Sequence, residues 1–153
     1  MIPGMAGYEI DIQVDEKFRR AVRHKTLRRT AQETLGAEGV EGPVGLGLVI
    51  TGDDQIRGLN RRYLSRNQVT DVLAFSLREG EFVSPPDGIL YLGEAIISLP
   101  QARRQAREWG HKLEEELSLL VVHGVLHLLG YDDREPGPKL RMRRMEQEVL
   151  SRL

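Results

Sequence analysis

Apolar and polar residues alternate from Tyr8 to Val14, with Tyr8, Ile10, Ile12 and Val14 on one side, which predicts a half-buried strand. Asp15 can cap a helix running to about Leu35, whose apolar stripe of Phe18, Ala21, Val22, Leu27, Ala31 and Leu35 is irregular. A Gly-rich turn then leads into a second strand, Val44 to Thr51, in which Val44, Leu46, Leu48 and Ile50 share a face. Asp53 opens the next helix, with Ile56, Leu59 and Tyr63 as its expected buried stripe. Between Thr70 and Leu77 the unbroken run Val72, Leu73, Ala74, Phe75 predicts a strand covered on both faces. Gly80 to Gly88, with Pro85 and Pro86, reads as an exposed loop, and Ile89 to Ile97 as a fourth strand. Ser98 and Gln101 form a capping box for a helix that buries Ala102, Ala106 and Trp109 and turns its arginines the other way.

Glu114, Glu115 and Glu116 suit the positive end of a further helix, which becomes nearly all apolar from Leu117 to Leu129 and is the candidate central, buried helix. Pro136-Gly137-Pro138 breaks the chain before a last helix, Leu140 to Leu150. Strands in the first two-thirds and helices packed around them predict an α+β fold: a single domain with one mixed four-stranded sheet. Residues 1–7 are expected to be a flexible arm and 8–153 the domain. A chain of 153 residues fits one core, and 40% hydrophobic with 29% charged residues is the composition of neither a disordered nor a membrane protein. No export signal opens the chain and no apolar run approaches about 18 residues, so a cytoplasmic protein is expected.

The candidate chemistry lies in His123-Gly-Val-Leu-His127-Leu-Leu-Gly130-Tyr-Asp-Asp133. Two histidines four apart project from one face of a helix, one turn apart. Gly130 can end that helix in the left-handed conformation and turn the chain back, bringing Asp133 toward the pair. A continuous helix would instead carry Asp133 away at about 1.5 Å per residue. The spacing is that by which metzincin-type zinc sites add a third ligand to a helical histidine pair, so His123, His127 and Asp133 are the candidate metal ligands. Two buried, hydrogen-bonded core histidines before a helix-ending glycine are the plainer alternative. With no cysteine available, any metal takes imidazole and oxygen; two nitrogens and one carboxylate suit one divalent ion, zinc before other first-row ions. Gly124 stands where zinc proteases carry their general-base glutamate, which argues against peptide hydrolysis.

Beyond this stretch, Leu59-Asn60, Thr70-Asp71-Val72-Leu73-Ala74-Phe75, Gly93-Glu94-Ala95-Ile96-Ile97-Ser98 and Gln147-Glu148 occur in order. Together with the His123 to Asp133 signature they resemble the YbeY family of bacterial endoribonucleases and rRNA maturation factors, over roughly Ile50 to Leu150. The resemblance implies a metal-dependent, single-strand-specific endoribonuclease acting in rRNA maturation and ribosome quality control, with single-stranded RNA or an rRNA precursor and the ribosomal small subunit as partners. Two other readings stand beside it: a metallohydrolase on another substrate, and a non-catalytic ribosome-associated factor whose metal is structural. Some positions depart from the family pattern. Asp133 replaces the usual third histidine, Glu94 the usual aspartate, and Leu64 an arginine that many members carry, with Arg66 two residues on.

Charge adds one expectation. The net charge is −1, so RNA binding requires local concentration of the basic residues. Of the 22 Lys and Arg, 14 crowd into three runs: Arg19 to Arg29, Arg103 to Arg107, and Arg134 to Arg144. Arg103 and Arg107, on the helix directly before the histidine helix, are the candidates to line an RNA groove beside the metal; a solvated helix face paired with Glu108 and the 114–116 glutamates is the alternative.

Overall fold

The computed structural model describes residues 7–77, 88–131 and 136–151, without the side chains of 136–142 and 145. The first six residues of the expected arm, the 80–88 loop up to residue 87, and Asp133 lie outside the described residues. Four strands form one mixed sheet: β1 (Tyr8–Val14), β2 (Val44–Thr51), β3 (Val72–Ser76) and β4 (Leu90–Ser98), in the order β1-β2-β4-β3. β1, β2 and β4 are parallel, and β3 runs antiparallel to β4 at the edge. The expected α+β fold with a mixed four-stranded sheet is the one observed.

Each face of the sheet is apolar for a different partner. Ile10 of β1, Leu46, Leu48 and Ile50 of β2 and Ala95 and Ile97 of β4 pack against α1 (His24–Ala37) and α4 (Leu113–Leu128). On the opposite face Val49, Leu73 and Ile96 pack under Ile56 of α2 (Asp53–Leu64). β3 therefore has apolar residues on both sides, as its unbroken run implied, but at the sheet edge only Leu73 is buried and the rest are half-buried. α5 (Pro136–Ser151) lays Val149 on Val122 and Leu126 of α4, which leaves α4 sandwiched and buried nearly all round.

The single helix expected from Asp15 to Leu35 is two elements. Asp15 does act as a cap, accepting from the Lys17 amide, but of a 3-10 segment, Glu16–Ala21; Val22 is extended, and α1 begins at His24. At about 100° per residue, one continuous helix would point Phe18 and Val22 to the side opposite Leu27, Ala31 and Leu35. The break at Val22 lets all five be buried.

Two expected core aromatics are exposed. Tyr63, at the end of α2, is 59% exposed, and the buried polar residue of that helix is Asn60, whose Nδ2 donates to the Gln68 carbonyl at 3.0 Å. On α3 (Leu99–Trp109) Ala102 and Ala106 are buried as expected, but Trp109, at the last turn, is 71% exposed. The last helix starts at Pro136, not Leu140: prolines in a first turn are tolerated because those amides have no helical acceptor. Ser98 caps α3 as expected, accepting from the Gln101 amide at 3.2 Å. No helix among the described residues is long and apolar enough to cross a membrane.

Candidate metal centre

The apolar character of α4 follows from its place between sheet and α5, and it leaves one polar side. Glu116, His123 and His127 fall on that side, seven and four residues apart. The imidazoles of His123 and His127 converge: their Nε2 atoms are 3.0 Å apart and the ring centroids 4.6 Å. Two nitrogens each bound at about 2.05 Å to a tetrahedral zinc are about 3.3 Å apart, so the pair lies within a few tenths of an ångström of a shared-ligand geometry.

The second nitrogen of His123 has its own partner. Nδ1 meets Glu146 Oε1 of α5 at 2.9 Å, with the carboxylate 14% exposed and the imidazole 28%. A carboxylate at Nδ1 holds the proton there and leaves the Nε2 lone pair directed at the space shared with His127. A carboxylate on the ring nitrogen that faces away from the shared space is the arrangement that orients metal-ligating histidines. Glu146 was not singled out in the sequence. Its signal is modest: an acid on the last helix, three residues before buried Val149 and so on a neighbouring part of the same helical side.

The end of α4 directs the next segment back. Gly130 adopts φ 102°, its amide donates to the His127 carbonyl at 3.0 Å, and the Tyr131 amide donates to the Leu126 carbonyl at 3.0 Å. This is the two-bond glycine terminus known as the Schellman motif. The Tyr131 hydroxyl donates to Glu38 Oε2 at 2.8 Å, anchoring the chain two residues before Asp133. Asp133 itself lies outside the described residues, and among the described residues no group of three histidine or carboxylate side chains surrounds a metal position.

Gly124 explains the missing glutamate. A Cβ at that position would lie 2.8 Å from Ala95 Cβ and 3.3 Å from Val72 Cγ2, so residue 124 faces the sheet at closest approach and not the histidines. His111 is also accounted for: its Nε2 pairs with Glu116, which is 2% exposed and accepts in addition from Gln105 Nε2 at 2.9 Å.

The structure does not bring Arg103 or Arg107 to the histidine pair. α3 starts at Ser98, the end of β4, whereas Leu128, next to His127, packs at Gly93, five residues earlier on that strand. Gln105, between the two arginines, donates from Nε2 to Glu116 Oε1 near the start of α4, seven residues and about 10 Å before His123 along the helix. The alternative pairing of Arg103 and Arg107 with Glu108 and the 114–116 glutamates is also absent among the described residues. Arg104 instead donates to Asp53 Oδ1 at 2.9 Å, and that guanidinium holds the Asp53 carboxyl below its usual range. The Arg103 guanidinium lies 5.9 Å from the Phe18 ring centre. Leu64 is 50% exposed at the end of α2.

The model of the endoribonuclease YbeY family matches residues 9–153. An endoribonuclease YbeY from Pelotomaculum thermopropionicum is 49% identical over 127 residues, covering 83% of this chain and 84% of its own. One from Aquifex aeolicus is 43% identical over 136 residues, covering 88% and 87%. The solution structure of a Thermotoga maritima protein is similar with a TM-score of 0.57 at 25% identity, over 94% of this chain and 90% of that one.

Proposed function

The chain belongs to the YbeY endoribonuclease family, and from that premise we propose that it is a metal-dependent endoribonuclease that cuts single-stranded RNA. Its setting in this reading is cytoplasmic, in rRNA maturation and ribosome quality control, on rRNA precursors associated with the small subunit. The observation that carries the metal is the convergence of His123 and His127 Nε2 atoms at 3.0 Å, with His123 Nδ1 held by Glu146. His123, His127 and Asp133 would hold one divalent ion, zinc by donor type. Such an ion would supply Lewis acidity toward a phosphoryl oxygen and toward water. Glu146 fixes the His123 tautomer, and Asp133 adds a negative charge that the usual histidine would not. Gly124, turned into the sheet, supplies no general base, which supports phosphodiester over peptide chemistry.

The activity is tested with one RNA supplied single-stranded and annealed to its complement. Cleavage of the single strand alone, lost on chelation and restored by zinc, is the expected result. Equal cleavage by the His127→Ala protein would overturn it.

The ligand set has a separate test. Glu146→Gln retains a hydrogen-bond acceptor for Nδ1 but removes the charge, and is expected to weaken metal affinity about 10-fold, with Glu146→Ala nearer 100-fold. Asp133→Asn is expected to weaken binding markedly, whereas Asp133→His retains it. Competition with a chromophoric chelator reads both. Wild-type affinity in Glu146→Ala would remove Glu146 from the site, and wild-type affinity in Asp133→Asn would remove Asp133.

A further inference from the structure

The eleven residues from Arg19 to Arg29 hold six cations and no carboxylate, leaving 16 Lys and Arg against 23 Asp and Glu in the remainder, a net −7 outside this segment. Arg19, Arg20, Arg23, Lys25, Arg28 and Arg29 are all exposed, and none makes an ion pair among the described residues. The fold adds to them. Phe18, buried at the base of the segment, has Lys17 Nζ 5.3 Å and the Arg103 guanidinium 5.9 Å from its ring centre, so α3 brings its arginine to this surface. Across the α1–α4 seam a groove of about 450 Å³ is lined by Lys25, Arg29 and Lys112, with Ser118 also facing it. Glu114 and Glu115 line it as well, which biases an anion toward the α1 rim.

We infer that this surface is a docking site for the phosphate backbone of the RNA, separate from the histidine pair; the inference rests on the endoribonuclease reading. Cations left unpaired at this density repel one another and are relieved by a polyanion, whose condensed counterions are released on binding. Lys25, Arg28 and Arg29 lie on one face of α1 at i, i+3 and i+4, about 5–6 Å apart, close to the spacing of successive phosphates on an extended strand. Lys112 precedes His123 by eleven and His127 by fifteen residues, so along the α4 axis the surface is about 16 to 22 Å from the pair. A few nucleotides bridge that distance. An RNA extending beyond the cut site is therefore held by this face, while a very short one is not. The chain reconciles its net charge of −1 with a polyanionic substrate by concentrating one basic run, Arg19 to Arg29, with Arg103 brought beside Phe18 at its start.

The test is the triple variant Lys25→Gln, Arg28→Gln, Arg29→Gln, which keeps good helix formers on an exposed face. Binding of a hairpin RNA with a single-stranded tail is measured against salt, beside cleavage of a single-stranded oligonucleotide too short to leave the histidine pair. The expected result is a log–log salt slope shallower by about 2, from about 0.7 per lost phosphate contact, with oligonucleotide cleavage, metal content and thermal midpoint unchanged. An unchanged salt slope would overturn this site while leaving the endoribonuclease reading intact. Failure of the wild-type protein to bind or cut either RNA would overturn that reading and this one together. A phosphatidylglycerol vesicle arm separates the other polyanion: loss of vesicle binding without loss of RNA binding would assign the face to a lipid surface and overturn the RNA assignment.

Discussion

His127→Ala is expected to yield a folded protein without its metal. The side chain is half-buried on the one polar side of α4, and alanine is the better helix former, so truncation at this position leaves the apolar packing of α4 untouched. What it removes is one of two nitrogens converging at 3.0 Å. His123→Ala should release the metal as well, but it also strips the partner from Glu146, a carboxylate 14% exposed, and so adds a loss of about 1–3 kcal/mol in stability. His111→Ala is the informative control. It deprives buried Glu116 of one partner and should lower stability by a similar amount of about 1–3 kcal/mol, yet leave the metal in place. Elemental analysis after gel filtration, beside thermal unfolding, separates the three. Equal metal in wild type and His127→Ala would remove the histidine pair from the site, whatever the stabilities.

Gly124→Glu is expected to prevent folding, and Gly124→Ala to measure how closely α4 approaches the sheet. A Cβ at 2.8 Å from Ala95 Cβ is closer than side-chain carbons come, and the neighbour is a methyl carried directly on β4, so helix or strand must move. Such overpacking costs about 1–3 kcal/mol. Alanine in place of glycine returns about 1 kcal/mol of helix propensity, leaving a net loss of at most about 2 kcal/mol. Glutamate would in addition place a carboxylate in the apolar layer between α4 and β3–β4, with no cation beside it among the described residues, at a cost of several kcal/mol more. Since a domain of this size is stable by about 5–15 kcal/mol, the combined cost removes most or all of the folded population. Denaturant midpoints read the alanine variant, and soluble yield with circular dichroism the glutamate one. A Gly124→Glu protein as stable as wild type would mean that residue 124 does not face the sheet. The protease-type base at that position is excluded by packing, which is a stronger reason than its absence from the sequence.

Glycine at position 93 shows the same kind of control from the other side of the contact. Its φ of 137° and the 2.0 Å that a Cβ would leave to the Phe75 carbonyl oxygen bring β3 and β4 together where Leu128 packs. Gly93 and Gly124 thus set how near the histidine helix lies to the sheet edge. Their motifs were visible in the chain, but the surfaces they clear were not.

What the sequence determined by itself is whatever one element carries within its own period. The alternation of Tyr8, Ile10, Ile12 and Val14, the apolar run of α4, the two histidines one turn apart and the glycine that turns the chain after them are local regularities. Backbone geometry converts them into faces and ends without reference to the rest of the molecule. Only the tertiary structure decided what those faces meet. It placed Glu146, 23 residues on, against His123 Nδ1, and turned Gly124 into Ala95. It broke the expected first helix at Val22, because two stretches with apolar residues on opposite sides had to reach the same core. It left Tyr63 and Trp109 in solvent although both stood in register with buried stripes, and it carried Arg103 to Phe18 instead of to the histidines. A period specifies the side of a helix on which a residue lies; the relative placement of helices and strands, fixed by close packing over the whole core, specifies what is opposite.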